Sequence, residues 1–175
     1  MSISFGIIAA AALAAPVALA AKDETAELKS IFPKAEAFVK KDADGIGYYE
    51  VLENDELAGY GVLVAAVGYS GPIGLLVGIE PDGLIKRIVI LEHHEMPGFG
   101  ARINEIKKGE KEPCFLTQFK GKAADTVAVD KNIDVVSGAT ISSRVVTDAV
   151  RETVGRFLET VKKTVIARSD SDEAI

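Results

Sequence analysis

Cysteine and histidine are scarce in this sequence, and their scarcity restricts the chemistry it can carry. The 175 residues include one cysteine, Cys114, and two adjacent histidines, His93 and His94. One cysteine excludes an intramolecular disulfide and a cysteine-based metal site, and we interpret it as a small buried hydrophobic residue. Neighbouring side chains on a strand point to opposite faces, so the two histidines cannot chelate one ion together. The sequence predicts no metal site.

Basic clusters and the common catalytic motifs are also missing. The formal net charge is −6 and no run of lysine or arginine exceeds two residues. This argues against nucleic acid as a partner, because phosphate binding needs a basic face. A G-x-S-x-G nucleophile turn and a G-x-x-x-x-G-K-[ST] phosphate loop are absent, and "GFGARI" lacks the third glycine of a dinucleotide fingerprint. We therefore predict no catalytic residue.

The chain begins with a long apolar run. Residues 1–21, "MSISFGIIAAAALAAPVALAA", carry no charged side chain. As a helix this run would be about 30 Å long, enough to cross the hydrocarbon core of a bilayer. It is alternatively a secretory signal, since residues 18–20 form an A-x-A cleavage site. A buried soluble helix is disfavoured because no amphipathic face is visible. We predict an N-terminal hydrophobic helix, either anchor or signal, and export of the remainder.

Hydrophobic periodicity predicts one α+β domain over residues 22–166, followed by a polar tail over 167–175. A short helix ending at Pro33 precedes strands at 48–52, 57–67, 73–79 and 84–91, with turns at 54–55 and 81–83. Strands joined in this order favour an antiparallel meander with flanking helices. Residues 96–113 are predicted to form a loop and a short charged helix, and residues 125–136 one or two short strands.

From Ile141 onward the pattern becomes helical. Apolar residues recur three and four positions apart, which predicts a long helix with one stripe facing the core. The stripe comprises Val146, Ala149, Val150, Val154, Phe157, Leu158, Val161 and Val165.

The stretch "SGATISS", residues 137–143, stands directly before this helix. It supplies the hydroxyls of Ser137, Thr140, Ser142 and Ser143. Taken alone, such residues are ordinary N-caps. The first-turn N–H groups of a helix are also unpaired and partly positive, however, so they can hold a phosphate that the Gly-Ala pair allows to approach closely. From the residues alone, both interpretations stay open.

The same stretch resembles the S/T-G-A-T-x-S/T signature of the FMN-binding domain, whose flavin is esterified through its phosphate to the second hydroxyl residue, here Thr140. Residues 95–100 are similar to the family's E-x-P-G-x-G loop, which follows a glycine-rich hairpin. The order of elements agrees from about Ala21 to Val165. The compact length resembles the G subunit of Rnf-type ion-translocating ferredoxin:NAD oxidoreductases more than the C subunit of sodium-translocating NADH:quinone oxidoreductases.

This resemblance implies a cofactor site for covalent FMN, with a separate flavin transferase attaching the flavin. The site residues are Ser137, Gly138, Ala139, Thr140 and Ile141 around the phosphate, and Glu95, Gly98, Phe99 and Gly100 in the slot for the isoalloxazine ring. The simpler alternatives are turn geometry for Gly98 and Gly100 and a solvated carboxylate for Glu95. Tyr69 would stack on the flavin or, as is more typical of a strand residue, belong to the core.

The resemblance further implies an electron-transfer flavoprotein subunit of a membrane-bound, Rnf-type ion-translocating complex. We expect it in a prokaryotic cell membrane, with a single pass and the FMN domain on the outer face. Other membrane subunits of the complex and the flavin transferase would be its partners, and alone it would catalyse no turnover. The alternatives are a freestanding exported FMN-binding electron carrier and a non-redox exported binding module whose "SGAT" is only a cap.

The N-terminal segment distinguishes the first two hypotheses. A subunit of a membrane complex is expected to keep residues 1–21 and to sediment with membranes, because the apolar run anchors it. A freestanding carrier is expected to be cut after Ala20 and recovered as a soluble yellow protein. N-terminal sequencing of the protein from each fraction measures this directly. An intact N-terminus in the soluble fraction would contradict both hypotheses.

Overall fold

A five-stranded antiparallel sheet with helices packed on both faces forms the framework of the protein. The computed structural model describes residues 23–172, with side chains described for residues 23–162. The elements are α1 Glu24–Ile31, β1 Ala37–Ala43, β2 Ile46–Glu53, β3 Glu56–Val67, β4 Pro72–Ile79, β5 Ile85–His93, a 3₁₀ turn Gly100–Asn104, α2 Cys114–Thr117, a 3₁₀ turn Ala124–Thr126 and α3 Thr140–Asp172. The strands lie in the order β1-β2-β3-β4-β5, so the antiparallel meander is confirmed.

Strand β1 is an addition to the predicted strands. It is an edge strand whose side chains are mostly exposed, so its sequence, "AFVKKDA", shows no alternation of apolar and polar residues. Its turn to β2 has positive φ at both Asp44 (54°) and Gly45 (76°), as does the predicted turn at Asn54 (53°) and Asp55 (63°). Two-residue hairpins of this type favour Asp-Gly. That dipeptide is the sequence signal for the missed hairpin.

Two connecting segments also differ from the sequence-based expectation. The short charged helix is only the 3₁₀ turn Gly100–Asn104, and residues 108–112 form turns and bends. Residues 125–136 form no strand, because only an isolated bridge joins Val129 to Ile133. Val127 and Ile133 are nevertheless buried. The apolar residues in this segment therefore reflect contact with the core and not pairing within a sheet.

Helix α3 covers one face of the sheet and buries the main core. Phe157 packs against the rings of Tyr48 and Tyr60, with centroids 4.8 and 5.3 Å away. The stripe is confirmed where side chains are described: Val146, Val150, Val154 and Phe157 are fully buried, and Ala149, Leu158 and Val161 are partly buried against them. The backbone of α3 continues through residues 167–172, which the sequence placed in a polar tail.

Helix α1 covers part of the opposite face, where glycines in the strands make room for it. A Cβ atom at Gly61 would lie 2.3 Å from Leu28 Cδ2, and one at Gly78 would lie 2.5 Å from Ile31 Cγ2. Contacts this short are excluded by van der Waals repulsion. Strands β3 and β4 therefore form a shallow groove in which the buried side chains of α1 sit.

The start of α1 is fixed to the sheet by a carboxylate. The Tyr49 hydroxyl and the Lys40 ammonium both donate to Glu24 Oε2, the latter at 2.9 Å, and the ammonium lies 5.2 Å from the centre of the Tyr49 ring. Burial raises the pKa of Glu24, but the hydrogen bonds from Tyr49 and Lys40 outweigh burial, so its pKa is lowered overall. The same contact with Glu24 raises the pKa of Lys40.

Three remaining expectations concern single segments. The hydrophobic helix over residues 1–21 lies outside the described residues, and within residues 23–172 no helix combines the length and apolar composition that a bilayer span requires. Cys114 is partly exposed, so its interpretation as a buried residue is wrong; α2 buries Phe115 and Leu116 instead. Across the described part of the chain, no three His, Cys, Asp or Glu side chains are grouped as metal ligands.

We expect Glu24→Gln to lower the free energy of unfolding at neutral pH, with a diminishing effect in acid. Because the folded-state pKa of Glu24 is lowered from its ordinary 4.5, its carboxylate stabilises the fold above that value, and this contribution is lost as the pH falls through the folded-state pKa. Urea unfolding over a pH series measures the difference from wild type. Glu56→Gln, which removes an exposed carboxylate, is the control. A difference that does not narrow in acid would contradict the assignment.

Candidate functional site

An open cleft of about 430 Å³ lies where the start of α3 meets the β3–β4 turn and the loop after β5. Its volume is typical of small-molecule sites. It is lined by Tyr69, Met96, Phe99, Gly100, Gly138, Ala139, Thr140, Ile141 and Ser142. Six predicted site residues from two separate segments therefore line one cleft. Ser137, Glu95 and Gly98 lie outside its lining.

Thr140 is the first residue of α3, and its side chain is exposed. Within the described part of the chain its hydroxyl has no hydrogen-bond partner. The first backbone hydrogen bond of the helix runs from Ser143 N–H to Ala139 C=O at 2.9 Å, so among residues 23–172 the N–H groups of residues 140–142 are unpaired. Such groups carry partial positive charge. The start of α3 thus presents an available hydroxyl and three amide donors beside the cleft.

Two other hydroxyls of the motif, those of Ser142 and Ser143, hold the turn in place. Ser143 Oγ donates to Ala139 C=O at 2.9 Å and accepts from Val136 N–H at 3.1 Å. Ser142 Oγ donates to Glu95. Between residues 23 and 172, no first-turn N–H group bonds to a hydroxyl of the motif, and the residue that precedes α3 is an alanine. The N-cap interpretation is therefore wrong.

Glu95 lies behind the cleft lining, only 5% exposed. Its Oε1 accepts a hydrogen bond from Ser70 N–H at 3.0 Å, and its Oε2 accepts one from the Ser142 hydroxyl at 2.8 Å. The interpretation of Glu95 as a solvated carboxylate is therefore wrong. The carboxylate instead joins the β3–β4 turn, its own loop and the start of α3. It does not line the cleft itself, but it hydrogen-bonds to segments that do.

The glycines of the two motifs serve different purposes. Gly98 has a φ of 78° and open space around it, so turn geometry explains it. Gly138 has a similar φ of 80°. At Gly100 there is no room for a side chain, because a Cβ atom there would lie 1.7 Å from Glu95 Oε2 and 2.6 Å from Ser142 Oγ. Only a glycine allows the loop to approach this buried hydrogen bond.

Exposed apolar side chains surround the cleft. Tyr69 is 68% exposed, so its interpretation as a core residue is wrong; β3 ends at Val67, and Tyr69 lies in the turn that follows. Met96, Phe99 and Ile141 are 50, 57 and 52% exposed, and all four residues line the cleft. Single exposed hydrophobic residues are ordinary, but a contiguous group marks a binding surface. Tyr69 and Met96 were not among the site residues predicted from the sequence.

Arg102 supplies a positive charge beside the motif and was not predicted. Its guanidinium donates to the backbone carbonyl of Ser137 and lies near Gly138, where a Cβ atom would be 3.3 Å from Nη1. Ser137 thus contributes its carbonyl to this contact. The guanidinium also meets Glu105 Oε2 at 3.4 Å on the surface. A basic residue directly after the glycine loop was the available signal, but its partner lies 35 residues further along the chain.

Comparison with known proteins finds a matching family and related sequences. Residues 68–155 match the family described as the FMN-binding domain. The G subunit of the proton-translocating ferredoxin:NAD(+) oxidoreductase complex of Clostridium ljungdahlii is 36% identical over 113 residues, which cover 61% of this chain and 57% of that protein. The G subunit of the ion-translocating oxidoreductase complex of Methanosarcina acetivorans is 34% identical over 149 residues, which cover 78% of this chain and 76% of that protein.

A solved structure resembles the fold as well. The crystal structure of NqrC from Shewanella oneidensis superposes with a TM-score of 0.50 at 25% sequence identity, covering 73% of this chain and 70% of that chain. The match to the Clostridium protein spans less than two thirds of that protein, whereas the match to the Methanosarcina protein spans more than two thirds.

We expect Gly100→Ala to destabilise the protein by about 1–3 kcal/mol, the usual cost of overpacking, because the added methyl group would collide with the Glu95–Ser142 hydrogen bond. The control is Gly155→Ala in α3, where a Cβ atom meets nothing within 4 Å. That change is expected to stabilise by about 0.5–1 kcal/mol, since glycine is a poor helix former. Urea unfolding measures both variants. Equal effects of the two substitutions would contradict the packing described for Gly100.

Proposed function

The chain belongs to the FMN-binding domain family, and from that membership we propose that it carries FMN as a phosphoester on Thr140 and transfers electrons within an Rnf-type ion-translocating oxidoreductase complex. One observation carries the proposal. The Thr140 hydroxyl is exposed beside the cleft, without a hydrogen-bond partner in residues 23–172, at the start of a long helix. A hydroxyl in that position is available to form an ester.

The start of α3 suits the phosphate of such an ester. A phosphodiester keeps one negative charge, and the unpaired N–H groups of residues 140–142 would stabilise it by about 0.3–1 kcal/mol at an exposed site. Arg102 donates to Ser137 C=O and so places a positive charge beside the turn that precedes the helix, where it also pairs with Glu105. Gly138 and Ala139 place no bulky side chain before the helix. The residues around Thr140 therefore fit an anionic group attached through its hydroxyl oxygen.

The rest of the cleft suits a flat aromatic ring. Tyr69, Met96, Phe99 and Ile141 expose apolar surface along it, and aromatic and sulfur-containing side chains pack well against aromatic systems. The volume of about 430 Å³ is in the range for a small-molecule ligand. We assign these four residues to the isoalloxazine slot, and Gly100 to its wall.

Attachment requires a second protein. The Thr140 oxygen would form a new bond to the flavin phosphorus and give its proton to a base, while the phosphoanhydride bond of an activated flavin phosphate breaks and its second phosphate leaves. Among the described residues that line the cleft, none is a carboxylate, histidine or lysine able to accept that proton. We therefore assign attachment to a separate flavin transferase that supplies both the activated flavin phosphate and the base.

The lining also favours electron transfer over substrate conversion. Bound FMN supplies redox chemistry that the protein itself lacks. Tyr69 is the only titratable residue of the nine that line the cleft, so acid–base catalysis on a substrate has little support. The contribution of the chain is to hold the ring at an open edge, where a partner's redox centre can approach.

The names of the relatives support a place for the chain in a membrane complex. Proteins named as the G subunits of ion-translocating oxidoreductase complexes match the chain, so we place it among other subunits of a complex of this type. We propose a prokaryotic membrane location, with residues 1–21 as a single-pass anchor and the FMN domain on the outer face. A covalent tether prevents loss of the cofactor there.

The attachment point is tested by Thr140→Val, which keeps the shape of the side chain and removes the hydroxyl. With a flavin transferase co-expressed, wild type is expected to show a fluorescent flavin band after denaturing electrophoresis. The valine variant should lose that band, because no ester can form. Thr140→Ser, which retains a hydroxyl, is the control and should keep it.

Mass spectrometry of the peptide containing residues 137–143 locates the modification. A mass increase matching FMN on Thr140 in the wild-type protein supports the proposal. A fluorescent band that persists in Thr140→Val, or an unmodified wild-type peptide from the native host, would reject Thr140 as the attachment point.

A further inference from the structure

Three chain segments line the cleft, and one buried carboxylate contacts all of them. Tyr69 belongs to the β3–β4 turn, Met96 and Phe99 to the loop after β5, and Thr140 to the start of α3. Glu95 begins the second segment and hydrogen-bonds to the first and the third. We propose that Glu95 is a positioning residue, which sets the orientation of the isoalloxazine ring by holding the segment that attaches the flavin against the segments that contact the ring. This inference rests on the proposed function.

The two hydrogen bonds of Glu95 lie close to the residues that would touch FMN. Ser70, whose N–H donates to Oε1, directly follows Tyr69. Ser142, whose hydroxyl donates to Oε2, is two residues after Thr140. Because each bond acts on a residue adjacent or nearly adjacent to a contact residue, a small shift of the carboxylate displaces both sides of the slot. Glu95 itself does not line the cleft.

Two glycines pack closely against the carboxylate. A Cβ atom at Gly68 would lie 2.1 Å from Oε1, and one at Gly100 would lie 1.7 Å from Oε2. One glycine belongs to the β3–β4 turn and the other to the loop of Glu95 itself, and Glu95 is only 5% exposed. Close-packed interiors transmit displacements between neighbouring elements instead of absorbing them.

Each oxygen of Glu95 accepts one hydrogen bond from a different segment, so the link depends on a side chain that offers two polar atoms. Alanine would leave the Ser142 hydroxyl and the Ser70 N–H group without their partner, and buried polar groups tend to move toward a new one. Glutamine keeps the length, one acceptor for Ser70 N–H and one amide group for the Ser142 hydroxyl. The two substitutions therefore separate loss of the link from loss of the charge.

The test uses the full chain loaded with FMN by a co-expressed flavin transferase. The variants are Glu95→Ala, Glu95→Gln and Ser142→Ala, and the matched control is Thr147→Val. Like Ser142, Thr147 is a buried hydroxyl residue of α3, but it bonds only to the backbone of its own helix, at Ser143 C=O. Covalent FMN content, thermal unfolding and the visible-region circular dichroism of the flavin are measured for each.

We expect all four variants to carry FMN, since the Thr140 hydroxyl remains exposed. Glu95→Ala is expected to lose the visible dichroism of a fixed ring, and Ser142→Ala to lose part of it. Glu95→Gln and Thr147→Val should retain it. Unchanged dichroism in Ser142→Ala and Glu95→Ala, or equal loss in the control, would overturn the inference.

Three further outcomes are informative. If Glu95→Ala does not fold, Glu95→Asp replaces it, because the shorter side chain keeps the charge but not the reach to both Ser70 N–H and the Ser142 hydroxyl. Unchanged dichroism in that variant would overturn the inference. Ser142→Ala does not decide the question alone, since Ser142 also lines the cleft. Loss of dichroism in Glu95→Gln equal to that in Ser142→Ala would also overturn the role of the hydrogen bonds. Failure of the wild type to acquire FMN on Thr140 would instead reject the proposed function, so the two failures are distinguishable.

Discussion

The first turn of an α-helix leaves N–H groups that the helix itself cannot pair, and the candidate site is built around this constraint. In α3 the N–H groups of residues 140–142 have no hydrogen-bond partner within the described structure. The turn that precedes them is held by hydrogen bonds of Ser143. The helix cannot shift to relieve them, because Val146, Val150 and Val154 are fully buried against the sheet. The donors therefore keep a fixed position at the cleft, where an anionic group could pair with them.

The regular part of the fold was predictable where residues repeat their pattern over several positions. The second half of strand β3 and the stripe of α3 repeat burial at regular spacings, whereas β4 is a continuous apolar run that is buried along nearly its whole length. Strand β1 has no such pattern because both of its faces are largely solvated. Residues 125–136 show the opposite error, because strands were predicted there and none forms. Val127 and Ile133 are buried without pairing in the sheet. Apolar periodicity reports burial, and it identifies an element only when burial and hydrogen bonding coincide.

For the site, a contiguous motif was visible in the sequence and the contacts between motifs were not. Thr140 and its neighbours could be singled out from residue type and position before a helix. The role of Glu95 depends on partners 25 and 47 residues away, and that of Arg102 on one 35 residues away. Local sequence does not indicate contacts between residues that are so far apart in the chain. Tyr69 illustrates the same limit, because a position just beyond the end of a strand decides whether a ring is buried or exposed.

The seating of α1 in the groove of Gly61 and Gly78 has a mechanical consequence. Residues of β4 face α1 and α3 alternately, so the two helices pack on opposite faces of the sheet. Tension applied at the amino end of α1 would pass first into Glu24, Lys40 and Tyr49 and then spread through the backbone hydrogen bonds of five strands. Pulling at that end of the molecule would therefore load the sheet before it reaches α3 on the other face.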